Sequence, residues 1–171
     1  MVELEIRAER PRDATAIRTL AAAAFGDQDT ADFVEAVRAR AQVCLAEVAI
    51  AGGAIVGHAQ WCDAPIVVDG KRIESAYLAC LSAQPALQRQ GIGSALVRGG
   101  LERLRDLGYQ AVTLLGDPAY YGRFGFSSDL AGRIVAPHRS RGPGFQAVEL
   151  VAGALEGVTI ESDFPPVIAP G

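Results

Sequence analysis

Apolar residues recur along the chain with two different periods, and the change of period predicts the order of its first elements. Residues 4–7 alternate apolar and charged side chains, which predicts a first strand. Pro11 then suits the first turn of a helix, and Phe25-Gly26 suits the end of it. The apolar positions of this helix and of a second one recur at helical spacing, at Ile17, Leu20, Ala21 and Ala24 and at Phe33, Val34 and Val37.

The middle of the chain has the pattern of β-hairpins. Residues 43–50 and 55–62 are rich in strand-forming side chains and are joined across a Gly-Gly pair, which predicts a tight turn. Residues 66–73 form a second predicted hairpin, with Asp-Gly at its tip. His58, inside the first hairpin, is interpreted mainly as a packed or hydrogen-bonded residue, with catalysis as the minor alternative. Trp61 is interpreted as core or pocket wall.

The second half of the chain predicts strand, helix, strand and a final strand, over residues 76–83, 91–107, 111–115 and 146–151. Residues 127–145 are predicted to form a loop with one short strand, and the tail from residue 163 to be extended. Helices alternating with hairpins indicate an α/β (α+β) fold with a central mixed, mostly antiparallel sheet flanked by helices. With neither repeat nor linker, residues 1–171 are expected to form a single domain.

The most informative stretch is QPALQRQGIGS, residues 84–94, which joins a predicted strand to a predicted helix. A helix start leaves backbone N–H groups without partners, and glycine lets a ligand approach them closely. The physical interpretation is an anion cradle for a phosphate or pyrophosphate. A P-loop is excluded because the single lysine, Lys71, is remote, and a dinucleotide fingerprint lacks its third glycine at Leu96. A glycine turn with no ligand remains the structural alternative.

A second stretch, residues 116–126, bears on the choice between a ligand cradle and a glycine turn with no ligand. It follows a predicted strand and reads GDPAYYGRFGF, with Asp117 as a helix N-cap and Pro118 at the first helical position. Gln88-Arg89-Gln90-Gly91-Ile92-Gly93 resembles the coenzyme A pyrophosphate loop of the GNAT superfamily of N-acetyltransferases. The spacing of Tyr121 to Gly125-Phe126 resembles that family's second signature, and the tract LGDPAYYGRFGF is similar to the small bacterial YhbS-like branch.

This resemblance implies a GNAT-like fold with a strand–loop–helix acyl-CoA cradle, and acetyl transfer from acetyl-CoA to a primary amine. It implies that Tyr121 is catalytic, as the general acid for the leaving thiolate, while Tyr120 is interpreted as packing. The implied cofactor-binding residues are Leu81, Ser82, Ala83, Gln88, Arg89, Gln90, Gly91, Ile92, Gly93 and Ser94. The family's glutamate base has no counterpart, because Tyr77 falls near its position and Glu74 is the nearest carboxylate.

Composition limits the partners. A formal net charge of −4 argues against a general nucleic-acid binder, and neither a signal segment nor an apolar run of membrane-spanning length is apparent. The protein is therefore expected to be cytoplasmic, with acetyl-CoA and an amine acceptor as partners, no membrane, and a homodimer left open. The three cysteines, Cys44, Cys62 and Cys80, form no CxxC or Cys/His cluster, so free thiols and no metal are expected.

Two questions stay open at this stage. Asp27, Asp29 and Asp32 are explained either by the dipole of the helix they precede or by an anionic rim for a cationic acceptor. The alternative functions are a catalytically weak acyl-CoA-binding sensor of the same fold and a phosphate-binding module of a different fold.

Overall fold

The computed structural model describes residues 3–135, 142–157 and 159–162. Residues 136–141 of the predicted loop and the predicted extended tail from residue 163 lie outside these residues. The strands are β1 Glu5–Ala8, β2 Val43–Ala51, β3 Ala54–Asp63, β4 Ile66–Val68, β5 Lys71–Ile73, β6 Ser75–Ala83, β7 Ala111–Leu115, β8 Phe145–Glu149 and β9 Ile160–Ser162. The helices are α1 Ala14–Phe25, α2 Gln28–Arg40, α3 Ile92–Asp106, α4 Pro118–Tyr121 and α5 Ser128–Gly132.

A six-stranded sheet forms the centre of the fold, in the order β1-β2-β3-β6-β7-β8. All neighbours are antiparallel except β6 and β7, which are parallel. α1 and α2 pack against one face of β3 and β6, and their buried apolar side chains form a core with Val48 and Cys80. α3 covers the other face, where Trp61 is fully buried. The predicted fold class is therefore confirmed, and Trp61 belongs to the core.

Both predicted hairpins are present because their turns contain residues that accept positive φ. Gly52 and Gly53 have φ of 56° and 80°, and Asp69 and Gly70 have φ of 48° and 79°. Two consecutive residues with positive φ match the twist of the flanking strands. Gly26, at φ 75°, ends α1 as the sequence predicts.

Two features at the C-terminal end differ from the sequence prediction. The stretch predicted as a loop contains α5, whose first turn is capped by Ser127 Oγ accepting from Leu130 N at 3.2 Å. Five residues are too few to show a helical period, so only the cap residue signalled this helix. β8 is also not the last strand, because β9 follows it and joins a second sheet in the order β5-β4-β9. A strand of three residues carries too little alternation to be recognised.

Glycines on both elements let α3 lie close to the sheet: a Cβ on Gly57 of β3 would stand 2.6 Å from Ile92 Cγ2 of α3. A Cβ on Gly100 would stand 2.5 Å from Trp61 Cζ2, so only glycine fits there. At Gly99 a Cβ would meet only the guanidinium of Arg103, at 3.1 Å, so the close packing does not extend to Gly99.

Candidate active site

A cleft of about 750 Å³ opens where β6 and β7 separate. The two strands pair from Ser75 to Leu78, and no β7 partner continues along residues 79–83 among the described residues. Leu81 and Ala83 therefore present an unpaired strand edge to the cleft, opposite the first turn of α3. Such an edge can hydrogen-bond an extended ligand in the way that a further strand would.

The first turn of α3 supplies backbone donors to this cleft. The first helical bond runs from Ala95 N to Gly91 O at 2.9 Å, so the amides of Ile92, Gly93 and Ser94 precede the regular helical pattern. Gly91 has φ 88°, a left-handed conformation that turns the chain into the helix. These amides and the positive end of the helix dipole favour an anion.

Eight of the ten predicted cofactor-binding residues line this cleft: Leu81, Ala83, Gln88, Arg89, Gly91, Ile92, Gly93 and Ser94. Gln88 folds back, with Nε2 donating to Ala83 O at 3.5 Å. Gln90 is exposed and does not line the cleft, and Ser82 is buried on the opposite face of the sheet. The sequence analysis placed the strand edge and the loop in one site, but it did not predict which face of the sheet Ser82 occupies.

Tyr120 and Arg123 form part of the cleft wall, which the sequence interpretation of Tyr120 as packing did not include. The Tyr120 hydroxyl lies 2.6 Å from the point that a Cβ on Gly93 would occupy. The Arg123 guanidinium stacks over the Tyr120 ring, 4.5 Å from its centroid. α4 follows β7, which is parallel to β6, so both strands end at the same edge of the sheet. The sequence alone did not show that β6 and β7 are parallel, so it did not predict that Tyr120 and Arg123 reach the cleft.

Tyr121 lies deeper and does not line the cleft itself. Its ring is half-buried, 4.8 Å from the ring centroid of Tyr120 and 5.9 Å from that of Phe126, both nearly edge to face. Burial raises the pKa of Tyr121 well above its usual value, with Tyr120 and Cys80 close enough to add to the effect. The hydroxyl therefore stays protonated at neutral pH and is available as a donor.

Neither residue near the expected base position provides a suitable carboxylate. Tyr77 is a phenol whose pKa burial raises to about 12. The Glu74 side chain is 61% exposed, with Oε1 3.9 Å from Arg72 Nε. The residues of β6, Ser75–Ala83, include no Asp or Glu.

Two of the three acidic residues before and within α2 have structural roles. Asp27 caps the helix, accepting from Thr30 N at 2.7 Å, and its pKa is lowered by that hydrogen bond. Asp32 forms an ion pair with Arg18 of α1. Asp29 lies in the first turn of α2, where the helix dipole favours a negative charge.

The cysteines are free thiols, with burial raising the pKa of Cys44 to about 11 and that of Cys80 to about 12. Within residues 3–135, 142–157 and 159–162, no three His, Cys, Asp or Glu side chains are grouped to hold a metal ion. The described helices include none long and apolar enough to cross a membrane.

Comparison with known proteins agrees with this geometry. Residues 5–128 match the family model described as an acetyltransferase (GNAT) domain. The chain belongs to the GNAT acetyltransferase family. It is 35% identical to the uncharacterised N-acetyltransferase YhbS of Escherichia coli K12, over 90% of this chain and 92% of that relative. The predicted family, and with it the prediction of an acetyl-CoA-dependent acyltransferase, is confirmed.

Two solved structures of this GNAT family are similar over most of the chain. The structure of Escherichia coli YhbS in complex with CoA has a TM-score of 0.83 and 30% identity, over 98% of this chain and 92% of that one. A GNAT acetyltransferase from Brucella melitensis in complex with acetyl-CoA has a TM-score of 0.68 and 33% identity, over 87% and 89% of the two chains.

Proposed function

We propose that this GNAT protein transfers the acetyl group of acetyl-CoA to a primary amine, and that Tyr121 protonates the leaving thiolate. The observation that carries the proposal is the cleft between the open edge of β6 and the first turn of α3. A chain of amides along one wall and a helix N-terminus at its end suit a ligand with an extended arm and a pyrophosphate. The two solved structures described above hold CoA and acetyl-CoA, respectively.

Different residues of the cleft would bind different parts of acetyl-CoA. The amides of Ile92, Gly93 and Ser94 would bind the pyrophosphate, and Arg89 and Arg123 add positive charge at the cleft wall. The edge at Leu81–Ala83 would align the arm, with a backbone N–H polarising the thioester carbonyl.

Attack by the amine nitrogen forms the new C–N bond, and the C–S bond then breaks. Tyr121 donates its proton as negative charge develops on sulfur. A phenol, whose pKa exceeds that of a thiol, remains protonated until that moment.

An acceptor screen tests the proposal. The purified protein is incubated with acetyl-CoA and, in turn, spermidine, an aminoglycoside, and a peptide with a free N-terminus and a lysine, while free thiol is measured. Thiol release that depends on one of these amines supports the proposal. Tight acetyl-CoA binding without release on any amine favours the sensor function instead, and displacement of CoA by ATP favours a general phosphate site.

A further inference from the structure

A second cavity lies on the sheet face that α1 covers, and none of the steps proposed so far uses it. Its volume is about 660 Å³, within the range of small-molecule sites. One side of α1 and the β2–β3 hairpin line it, together with Arg7 of β1 and Gln84, which follows β6. The acetyl-CoA cleft lies on the other face, where Leu81 and Ala83 pack toward α3. The two cavities are therefore separated by the sheet.

Much of the second cavity is apolar. Ile50 of β2 and Ile55 of β3 line it and pack against the core beneath α1. Leu20 contributes from α1, and the exposed side chains of Ala16 and Ala23 on the same helix are small enough to leave the space open. Apolar walls with a few polar groups at one place are typical of sites for small organic molecules.

The polar groups lie at the N-terminal end of α1, where Asp13 fixes the side chain of Arg7. Arg7 Nη1 lies 2.6 Å from Asp13 Oδ2, and Nη2 lies 3.0 Å from Oδ1. The two side chains are 17% and 5% exposed. The hydrogen bonds from Arg7 lower the pKa of Asp13 to about 2, so Asp13 is ionised at neutral pH. Arg7 is thus held in one orientation by a bidentate pair.

This pair leaves one edge of the Arg7 guanidinium without an acceptor. Arginine has five N–H donors in a rigid plane. Both N–H groups of Nη1 are used, on Ala8 O and Asp13 Oδ2, and one N–H of Nη2 is used on Asp13 Oδ1. The N–H of Nε and the second N–H of Nη2 point the same way and have no acceptor among the described residues. Two parallel donors match the two oxygens of a carboxylate.

The charge of the cavity favours an anion with a single negative charge. Asp13 cancels the charge of Arg7, which leaves the one positive charge of Arg12. The Arg12 side chain is exposed, pairs with no described residue, and is close enough to Asp13 to help lower its pKa. Glu5 is close enough to Arg7 to raise its pKa, but Glu5 is exposed to water and does not line the cavity.

We propose that this cavity binds a small monocarboxylic acid with an apolar body, as a second ligand distinct from acetyl-CoA. The carboxylate accepts from Nε and Nη2 of Arg7, beside Arg12, and the apolar body lies between α1 and the β2–β3 hairpin. The site goes beyond the proposed acetyl transfer, because it involves neither the acceptor nor Tyr121.

The position of Gln84 indicates that this ligand is not the acetyl acceptor. Gln84 lines the second cavity, whereas the preceding residue, Ala83, lines the cleft. In the proposed function the arm of acetyl-CoA lies along Leu81–Ala83 and the pyrophosphate at the loop that follows. Gln84 is therefore at the pyrophosphate end, away from the thioester. We expect the acid and the cofactor to bind at the same time.

An NMR titration of the full chain with hexanoate tests the site. Amide signals of residues 12–23, 50–55 and 84 should shift and reach saturation, because these segments line the cavity. Hexanol has the chain without the carboxylate, and acetate has the carboxylate without the chain, so neither should saturate over the same concentrations. Saturating CoA should leave the hexanoate affinity unchanged. Equal binding of hexanol, or displacement of hexanoate by CoA, overturns the proposal.

Variants of the two arginines test the carboxylate contact. Arg7→Lys keeps the charge beside Asp13 but loses the parallel donors, so hexanoate affinity should fall about tenfold or more. Arg12→Gln should weaken hexanoate about two- to fivefold, because its charge is exposed to water. Arg40→Gln is the matched control: it removes an exposed arginine of α2 outside the cavity and should bind hexanoate as the wild type does.

Filling the cavity tests the apolar contact. Ala23→Phe should abolish the saturable shifts, whereas Ala39→Phe, at an exposed position of α2 outside the cavity, should leave them intact. Arg12→Gln and Ala23→Phe alter exposed positions, so they decide the matter even if Arg7→Lys fails to fold. Wild-type affinity in both of them overturns the site.

Two further outcomes would assign the cavity to another occupant. Hexyl phosphate carries two negative charges at pH 8, and tighter binding of it than of hexanoate would overturn the choice of a monocarboxylate. Shifts of the same amides that depend on protein concentration, without added acid, would show a second copy of the chain on this face and would overturn the small-molecule site.

Discussion

Replacing Tyr121 by phenylalanine isolates the proposed acid step. The ring contacts with Tyr120 and Phe126 remain, and the hydroxyl makes no hydrogen bond within the part of the chain that the structure describes. Its removal should therefore change the free energy of unfolding by less than about 1 kcal/mol. Loss of a general acid typically costs 10²–10⁴-fold in rate, which corresponds to about 3–5 kcal/mol in the activation barrier.

The measurement is a single-turnover experiment with enzyme in excess over acetyl-CoA, because slow product release can hide a chemical step in kcat. Tyr121→Phe should bind acetyl-CoA nearly as the wild type does and react at least 10²-fold more slowly. The raised pKa of Tyr121 keeps its hydroxyl protonated, so its ionisation should not reduce the wild-type rate up to about pH 10.

Tyr120→Phe is the informative companion variant. The Tyr120 hydroxyl faces Gly93 in the cleft, so its loss should alter acetyl-CoA affinity by a few fold and leave the rate at saturation intact. A wild-type single-turnover rate in Tyr121→Phe would refute the reasoning. A rate loss confined to Tyr120→Phe would show that Tyr120, and not Tyr121, is the acid.

Three further predictions concern stability. Gly100→Ala should lower the free energy of unfolding by about 1–3 kcal/mol in urea, because the new Cβ collides with Trp61, whereas Gly99→Ala should be tolerated or stabilising. Asp13→Asn should lower the melting temperature of the protein at pH 7, because the ion pair with Arg7 lowers the pKa of Asp13 to about 2 in the folded state. The stabilisation by this ion pair is present above about pH 4 and is lost as the pH falls through 2. Below that pH the wild type and the variant should have equal melting temperatures. Asp27→Ala should lower the melting temperature, because it removes the side chain that caps α2, while a higher KM for a cationic acceptor with unchanged stability would support the acidic rim instead.

Local sequence was sufficient for features whose cause is local. The positive-φ turns at Gly52-Gly53 and Asp69-Gly70 and the N-caps at Asp27 and Asp117 depend on the residues themselves. The alternation of apolar residues likewise predicted most strands, because only that register buries one face. The short α5 and β9 were missed because neither is long enough to show a period.

Only part of the candidate site could be predicted from the sequence. The loop at 88–94 and the edge at Leu81 and Ala83 follow each other in the chain, so the sequence could unite them. Tyr120 and Arg123 reach the same cleft only because β7 is parallel to β6 and carries α4 to that edge. That pairing is a non-local contact, and no residue of α4 signals it.

The sequence by itself determined the family, the order of the elements and the glycine loop, since each depends on neighbouring residues. Tertiary structure decided which face each side chain of β6 occupies, and so separated Leu81 and Ala83 in the cleft from Cys80 and Ser82 beneath it. It also brought Glu9 to His58 across 49 positions of sequence. Residues so far apart meet only when sheet pairing and helix packing place them together, because such contacts depend on the whole chain being folded.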